Sequence, residues 1–233
     1  MQLNSVPQPN EYWAALQPHL PPFSAEEQRV AVGLYRELAR GEPVSDVQLA
    51  NALGLSLVTT RAMLEREAIK RFVYPDDEGR VLGFGGLAAT AMHHRFEVDG
   101  RMLSTWCAWD SLFIPEILGC SARLSSPDPE TGEIVRLVVT PERIHSVEPN
   151  DAVISFVWPD AQAFRTSAAN VMAKFCHYIF FFASPQSGER WTSKHPGTFL
   201  CSLDNAFELA KRLNAHNFGT ELAHEDASAG GRP

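Results

Sequence analysis

Apolar positions first recur at helical spacing at Val30, Leu34 and Leu38. Ser24-Ala25-Glu26-Glu27 stands just upstream as a capping box, and Gly41 and Pro43 end the segment. Ser45 opens a second helix over Asp46 to Leu53, Gly54 breaks it, and a third covers Ser56 to Glu67. Helix, Ala50-x-x-x-Gly54, helix reads as a helix-turn-helix, with a small residue for close packing and a glycine for the turn. Phe72-Val73-Tyr74, the turn Asp76 to Gly79, and Val81 to Phe84 then predict strand, turn, strand. Three helices and a hairpin predict a winged-helix domain over residues 24–85. Residues 1–23, with Pro7, Pro9, Pro18, Pro21 and Pro22, read as an irregular leader.

Downstream the alternation shortens to two. His94 to Val98 and a strand through Met102 and Leu103 flank Asp99-Gly100, a hairpin turn. Thr105 is set to cap a helix from Trp106 to about Leu118, loosened by Pro115. Strands follow at Ser121 to Ser126, Ile134 to Thr140, Ile144 to Val147 and Ala152 to Trp158. A helix over Ala161 to Lys174, an apolar strand over Cys176 to Ala183 and a last helix over Leu203 to His216 complete the pattern. The fold class expected is α+β: the winged helix, then a mixed α+β domain with antiparallel sheets over residues 86–218. Residues 219–233, small and polar, read as a disordered tail.

At 233 residues and 45% hydrophobic, with 14 Phe and 5 Trp, the chain can build a sizeable core without staples. Its formal net charge of -8 opposes nucleic acid overall. No apolar run reaches the ~18–20 residues that span a bilayer. Met1 to Leu20 lacks a basic start followed by an apolar stretch, so a cytoplasmic protein is expected. Cys107, Cys120, Cys176 and Cys201 are far apart, form no C-x-x-C pair, and read as free thiols rather than a structural zinc site.

Trp106-Cys107-Ala108-Trp109-Asp110 is the first candidate for chemistry. On a helix, Cys107 and Asp110 share a face at i and i+3. A first-turn cysteine would feel the positive end of the dipole, which lowers a thiol pKa. A carboxylate on a dry surface between tryptophans would have a raised pKa and could pass a proton. The same residues also read as a small core hydrophobe and an ordinary first-turn Asp. Cys176 stands at the edge of an apolar run, where core packing is the simpler account. His177 beside it should point to the opposite face of a strand, which disfavours a Cys–His nucleophile.

Thr105 to Asp110, Phe113-Ile114-Pro115, Gly119-x-Ser121-Ala122-Arg123-Leu124-Ser125-Ser126, Phe175-Cys176, Phe181 to Ser184 and Trp191-x-Ser193-Lys194-His195-x-Gly197 stand in one order. Together they resemble the organomercurial (alkylmercury) lyase family. The likeness covers about residues 24–218 and is strongest over 103–126 and 175–197. The resemblance implies that Cys107 and Cys176 are the two essential thiols, that Asp110 is the essential carboxylate, and that all three handle mercury. Family members often carry a second cysteine at the place of His177 and a tyrosine at the place of Ser104, so substrate breadth is where this chain departs.

Two soft thiolates suit Hg(II), and a carboxyl group beside them can carry a thiol proton to the leaving carbon. Trp106, Trp109 and Phe180 are candidate pocket walls for an apolar organic group. The resemblance implies no resident cofactor, low-molecular-weight thiols for product release, and a mercuric reductase as an Hg(II) acceptor. The rival readings are a DNA-binding regulator using Leu57 to Glu67, a mercury-sequestering or sensing protein with a helix-turn-helix and no turnover, and a thiol hydrolase. The first is disfavoured by acidic neighbours and the second by the retained Asp110. No histidine spacing supports the third.

Overall fold

The computed structural model describes residues 7–20 and 22–229. The chain opens on helix α1, Pro9–Leu16, followed by a 3₁₀ turn at Gln17–His19. This corrects the irregular leader: Pro9 occupies the first helical turn, where its missing N–H costs nothing. Tyr12 and Leu16 are buried, and the Tyr12 hydroxyl donates to Val157 O at 2.9 Å, which ties the segment to the body of the protein.

Helices α2 (Ala25–Leu38), α3 (Asp46–Leu53) and α4 (Leu57–Leu64) follow. Their caps are those the side chains dictate. Ser24 and Ser45 form reciprocal capping boxes with Glu27 and Gln48, Ser56 caps α4, and Gly54 closes α3 in the left-handed region. A short helix α5 (Glu67–Lys70) leads to the antiparallel hairpin β1 (Val73–Pro75) and β2 (Val81–Phe84). Strands β3 (Leu87–Ala88), β4 (His94–Val98) and β5 (Arg101–Thr105) come next, then helix α6 (Asp110–Leu118). Asp99 and Gly100 turn the β4–β5 hairpin with positive φ at both positions.

β6 (Ala122–Pro127), β7 (Ile134–Val139), β8 (Ile144–Glu148) and β9 (Val153–Val157) precede helix α7 (Ala168–Lys174). β10 (Phe181–Phe182), helix α8 (Pro185–Thr192), β11 (Thr198–Cys201) and the long helix α9 (Leu203–Ala229) close the chain. Helix α9 carries on well past His216 to Ala229, which corrects the start of the tail expected from residue 219; residues 230–233 lie outside the described residues.

Among the described residues, eight strands form one antiparallel sheet in the order β1-β2-β3-β5-β4-β6-β7-β8, and three form a second, β10-β9-β11. The N-terminal hairpin therefore shares a sheet with the downstream strands through β3, which bridges β2 and β5. Helix α9 packs against α1, α2, α6 and β9, so one apolar core runs from Tyr12 to Phe218. The architecture is mixed α+β with antiparallel sheets, as the hydrophobic pattern predicts.

Candidate active site

Two irregular segments meet at the centre of the core. The first joins β5 to α6. Its helix begins at Asp110, not at Trp106, and Thr105 caps nothing: its hydroxyl donates to Cys107 O at 2.9 Å. The backbone N–H of Cys107 donates to Asp110 Oδ2 at 2.7 Å, which folds the carboxylate back beside the cysteine. The second segment follows α7. Instead of the apolar strand expected from Cys176 to Ala183, a 3₁₀ turn covers Cys176–Tyr178 and pairing resumes only at β10. Cys176 is buried and His177 exposed, so the two do share no site, although a turn rather than a strand separates them. The segments are stitched together by Ala108 N–H donating to Ile179 O at 3.1 Å.

The stitching brings Cys107, Asp110 and Cys176 into one cluster, with a sulfur or carboxylate oxygen from each within 4.8 Å of the others. All three are buried, Cys107 completely. Gly86 makes room. It has φ +103°, and a Cβ there would stand 2.5 Å from Asp110 Cγ. Its carbonyl accepts from Trp106 N–H at 2.8 Å. Gly85 lies against Tyr35, whose hydroxyl donates to Gly85 O at 2.7 Å. These supports escaped the sequence reading, and the Gly85-Gly86 pair beside a short strand was the available signal.

Asp110 and Cys176 open onto an apolar pocket. Tyr35, Trp106, Trp109, Phe113 and Phe175 are among its walls, with Leu213, Asn217 and Phe218 from α9 on one side. Cys107 lies behind this surface.

A sequence model of the family described as alkylmercury lyase (MerB) matches residues 87–215. The alkylmercury lyase of Staphylococcus epidermidis is 38% identical over 182 residues, covering 78% of this chain and 80% of the relative. This chain belongs to the alkylmercury lyase family. The Pseudomonas putida alkylmercury lyase is 39% identical over 185 residues, covering 79% of this chain and 82% of that one. A crystal structure of the mercury-bound form of MerB2 shares the fold with a TM-score of 0.69 at 20% identity, covering 90% of this chain and 98% of that chain.

Burial dominates the electrostatics of this alkylmercury lyase relative. The Cys107 thiol is pushed well above its ordinary pKa, first by burial, then by the neighbouring Cys176 and Asp110, against a smaller backbone contribution. That overturns the lowered pKa expected from a helix dipole, because Cys107 precedes the helix and has no water to solvate a thiolate. For Cys176, contact with the Cys107 thiol pulls the pKa down, but burial and Asp110 outweigh it and the net direction is up. Asp110 is raised to about 7 by burial, against the bonds from the Cys107 side chain and backbone.

Of the three pocket walls expected, Trp106 and Trp109 line the cavity. Phe180 does not: its ring packs against His93, His94 and Trp191 on another face, a correction that follows from the 3₁₀ turn displacing the expected alternation. Cys120 and Cys201 are free thiols outside the cluster.

Proposed function

We propose that this chain cleaves the carbon–mercury bond of R–Hg⁺, releasing RH and retaining Hg(II) between Cys107 and Cys176. The observation that carries the reading is the buried convergence of two sulfurs and one carboxyl group within 4.8 Å. The family's relatives are named alkylmercury lyases, which supplies the substrate class.

The chemistry follows from the donors. Cys176, which faces the pocket, exchanges its proton for R–Hg⁺ and forms a sulfur–mercury bond, and that proton leaves to solvent. Asp110, titrating near neutrality, takes the proton of Cys107 as the second sulfur binds mercury. Two thiolates raise electron density at mercury. Asp110 then delivers the proton to carbon, and the electron pair of the C–Hg bond becomes the C–H bond. Both protons are accounted for, and no oxidant or reductant is required.

In this reading no resident cofactor takes part, external low-molecular-weight thiols remove Hg(II), a mercuric reductase can accept it, and the protein works in the cytoplasm. No helix among the described residues is long and apolar enough to cross a membrane. Residues 24–85 act as a winged-helix unit that covers the catalytic residues of 86–218, supported by α2 packing on α6 and α9 and by Tyr35 reaching the pocket. DNA is not the partner of this unit. Arg61 pairs with Asp46, Arg66 with Glu26, and Lys70 with Glu65, which leaves little free positive charge on α4 and its neighbours.

The test is direct. Reduced protein is incubated with methylmercury or phenylmercury and excess thiol, and methane or benzene is measured in the headspace. Hydrocarbon release at a rate proportional to enzyme is expected, and mercury binding with no hydrocarbon would overturn the reading in favour of sequestration.

A further inference from the structure

The organic group is released into a pocket whose walls are almost wholly apolar; besides Trp106, whose unpartnered Nε1 lies toward Gly83, one unpaired polar side chain lines it that the chemistry above does not use. Asn217, on α9, lines the pocket and is only 9% exposed. Its buried Oδ1 has no hydrogen-bond partner among the described residues. Asn214, one turn earlier, also has an unpaired Oδ1, but its amide nitrogen is engaged with Phe113 O at 2.9 Å and Glu116 Oε2 at 2.7 Å, so it faces α6 and serves the packing of the two helices, and it does not line the pocket. Asn217 has no such duty. A buried amide left unpaired costs about 1–3 kcal/mol, which a leucine at the same place would not incur. The cost is recovered when something in the pocket bonds to it.

We propose that Asn217 is a specificity-determining residue, which recognises a neutral hydrogen-bonding substituent, a hydroxyl above all, on the organic group of the mercurial. The inference rests on the lyase reading. An unpaired acceptor oxygen on a residue that lines the pocket takes an O–H or N–H, and the amide can present its N–H₂ to an acceptor if it turns over. A carboxylate substituent fits poorly. Among the lining residues there is no Lys or Arg, and the ionisable Asp110 already faces the same space. The preferred cargo is thus an aryl or alkyl mercurial with a hydroxyl group, over both its plain and its carboxylated counterparts.

The test compares phenylmercury with its 2-, 3- and 4-hydroxy isomers, and with 4-carboxyphenylmercury, in the wild type and in Asn217→Leu. Electronic effects of the substituent on carbon basicity are common to both proteins and cancel in the ratio of ratios. For at least one hydroxy isomer, kcat/KM relative to phenylmercury should be higher in the wild type than in the variant by roughly 3- to 10-fold, the worth of one neutral hydrogen bond. The effect should fall mainly in KM, and the carboxylated substrate should show no such advantage. Asn217→Ala serves as a second variant and should show the same loss of discrimination. Coupling below twofold for all three isomers in both variants would overturn the assignment while benzene release from phenylmercury still upheld the lyase reading. Absence of any hydrocarbon from the wild type would instead remove the lyase reading itself. A melting temperature of Asn217→Leu equal to or above that of the wild type is the further result expected, since the variant sheds an unpaired amide; a drop of many degrees would mean that Asn217 holds the fold, and would overturn the proposal.

Discussion

Cys107 hangs in a mesh of main-chain bonds, whereas Cys176 rides on one 3₁₀ turn. Around Cys107, its own N–H is taken by Asp110, its carbonyl by Thr105, and its two neighbours by Gly86 O and Ile179 O. Around Cys176, Ile179 N–H bonds to its carbonyl at 3.0 Å, and the backbone breaks at Phe175 with φ -128° and ψ -64°. The Cys107 sulfur is fully buried behind the cavity, and Cys176 faces it. A two-thiol centre built this way has an inner member behind the cavity and an outer member that meets the mercurial first.

The strongest way to break this comparison is to remove each sulfur in turn. Cys107→Ser and Cys176→Ser should both lose hydrocarbon release by about a thousandfold or more, since groups acting as a unit fail together. Capture should differ: in a background with Cys120 and Cys201 replaced by alanine, Cys107→Ser should still take up one equivalent of phenylmercury, and Cys176→Ser should take it up far more slowly, as read by mass spectrometry of the adduct. Equal capture rates would erase the distinction between the sulfurs.

Asp110→Ala should bind R–Hg⁺ yet release hydrocarbon at least ~100-fold more slowly, the usual worth of a positioned proton carrier. Full activity would remove the proton relay. Gly86→Ala attacks the same carboxylate from behind. Its positive φ and the 2.5 Å approach to Asp110 Cγ should cost ~3 kcal/mol of stability along with most of the turnover, measured by denaturant midpoint and benzene release.

The pH dependence is a gentler probe. Burial raises Asp110 to about 7 in the folded protein, above the ~4 of an unfolded carboxyl. The folded state holds this proton more tightly, so the stabilisation is fully present below pH ~4 and is lost as pH rises through about 7. Asp110→Asn should therefore gain stability over the wild type at pH 8, by up to about 4 kcal/mol, and the gap should close near pH 4. Activity should climb through pH 7 as the carboxylate needed to take the Cys107 proton forms. The smallest effect expected is that of Tyr35→Phe, which deletes one bond to Gly85 O and should cost about 1 kcal/mol of stability.

Legibility in the sequence followed how local each signal was. The capping box at Ser24, the helix start at Ser45, the break at Gly54 and the Asp99-Gly100 turn all depend on a few adjacent residues, and the structure has each of them. The strands β4 to β7 and the β4–β5 hairpin were legible from alternation and the Asp99-Gly100 turn; the β4–β6 pairing, which passes over α6, was not. The leader failed because Pro9 was read as a breaker where it is a helix starter. The Cys176 segment failed because its apolar residues answer to the surrounding core, so that Phe181 and Phe182 pair with β9 while Phe180 turns toward His93. Cys107, Asp110 and Cys176 were singled out by their resemblance to a family. Their convergence depends on Ala108 meeting Ile179, a contact that no local pattern encodes.

Helix α9 has a temporal consequence. It supplies Leu213, Asn217 and Phe218 to the pocket wall and accepts the Trp109 indole N–H at Ala206 O, yet it follows both cysteines in the chain. A nascent polypeptide thus carries both thiols before the helix that walls them off has been synthesised. Until this helix docks, one side of the cavity has no wall, so enclosure of the organic group is among the last things the folding chain completes.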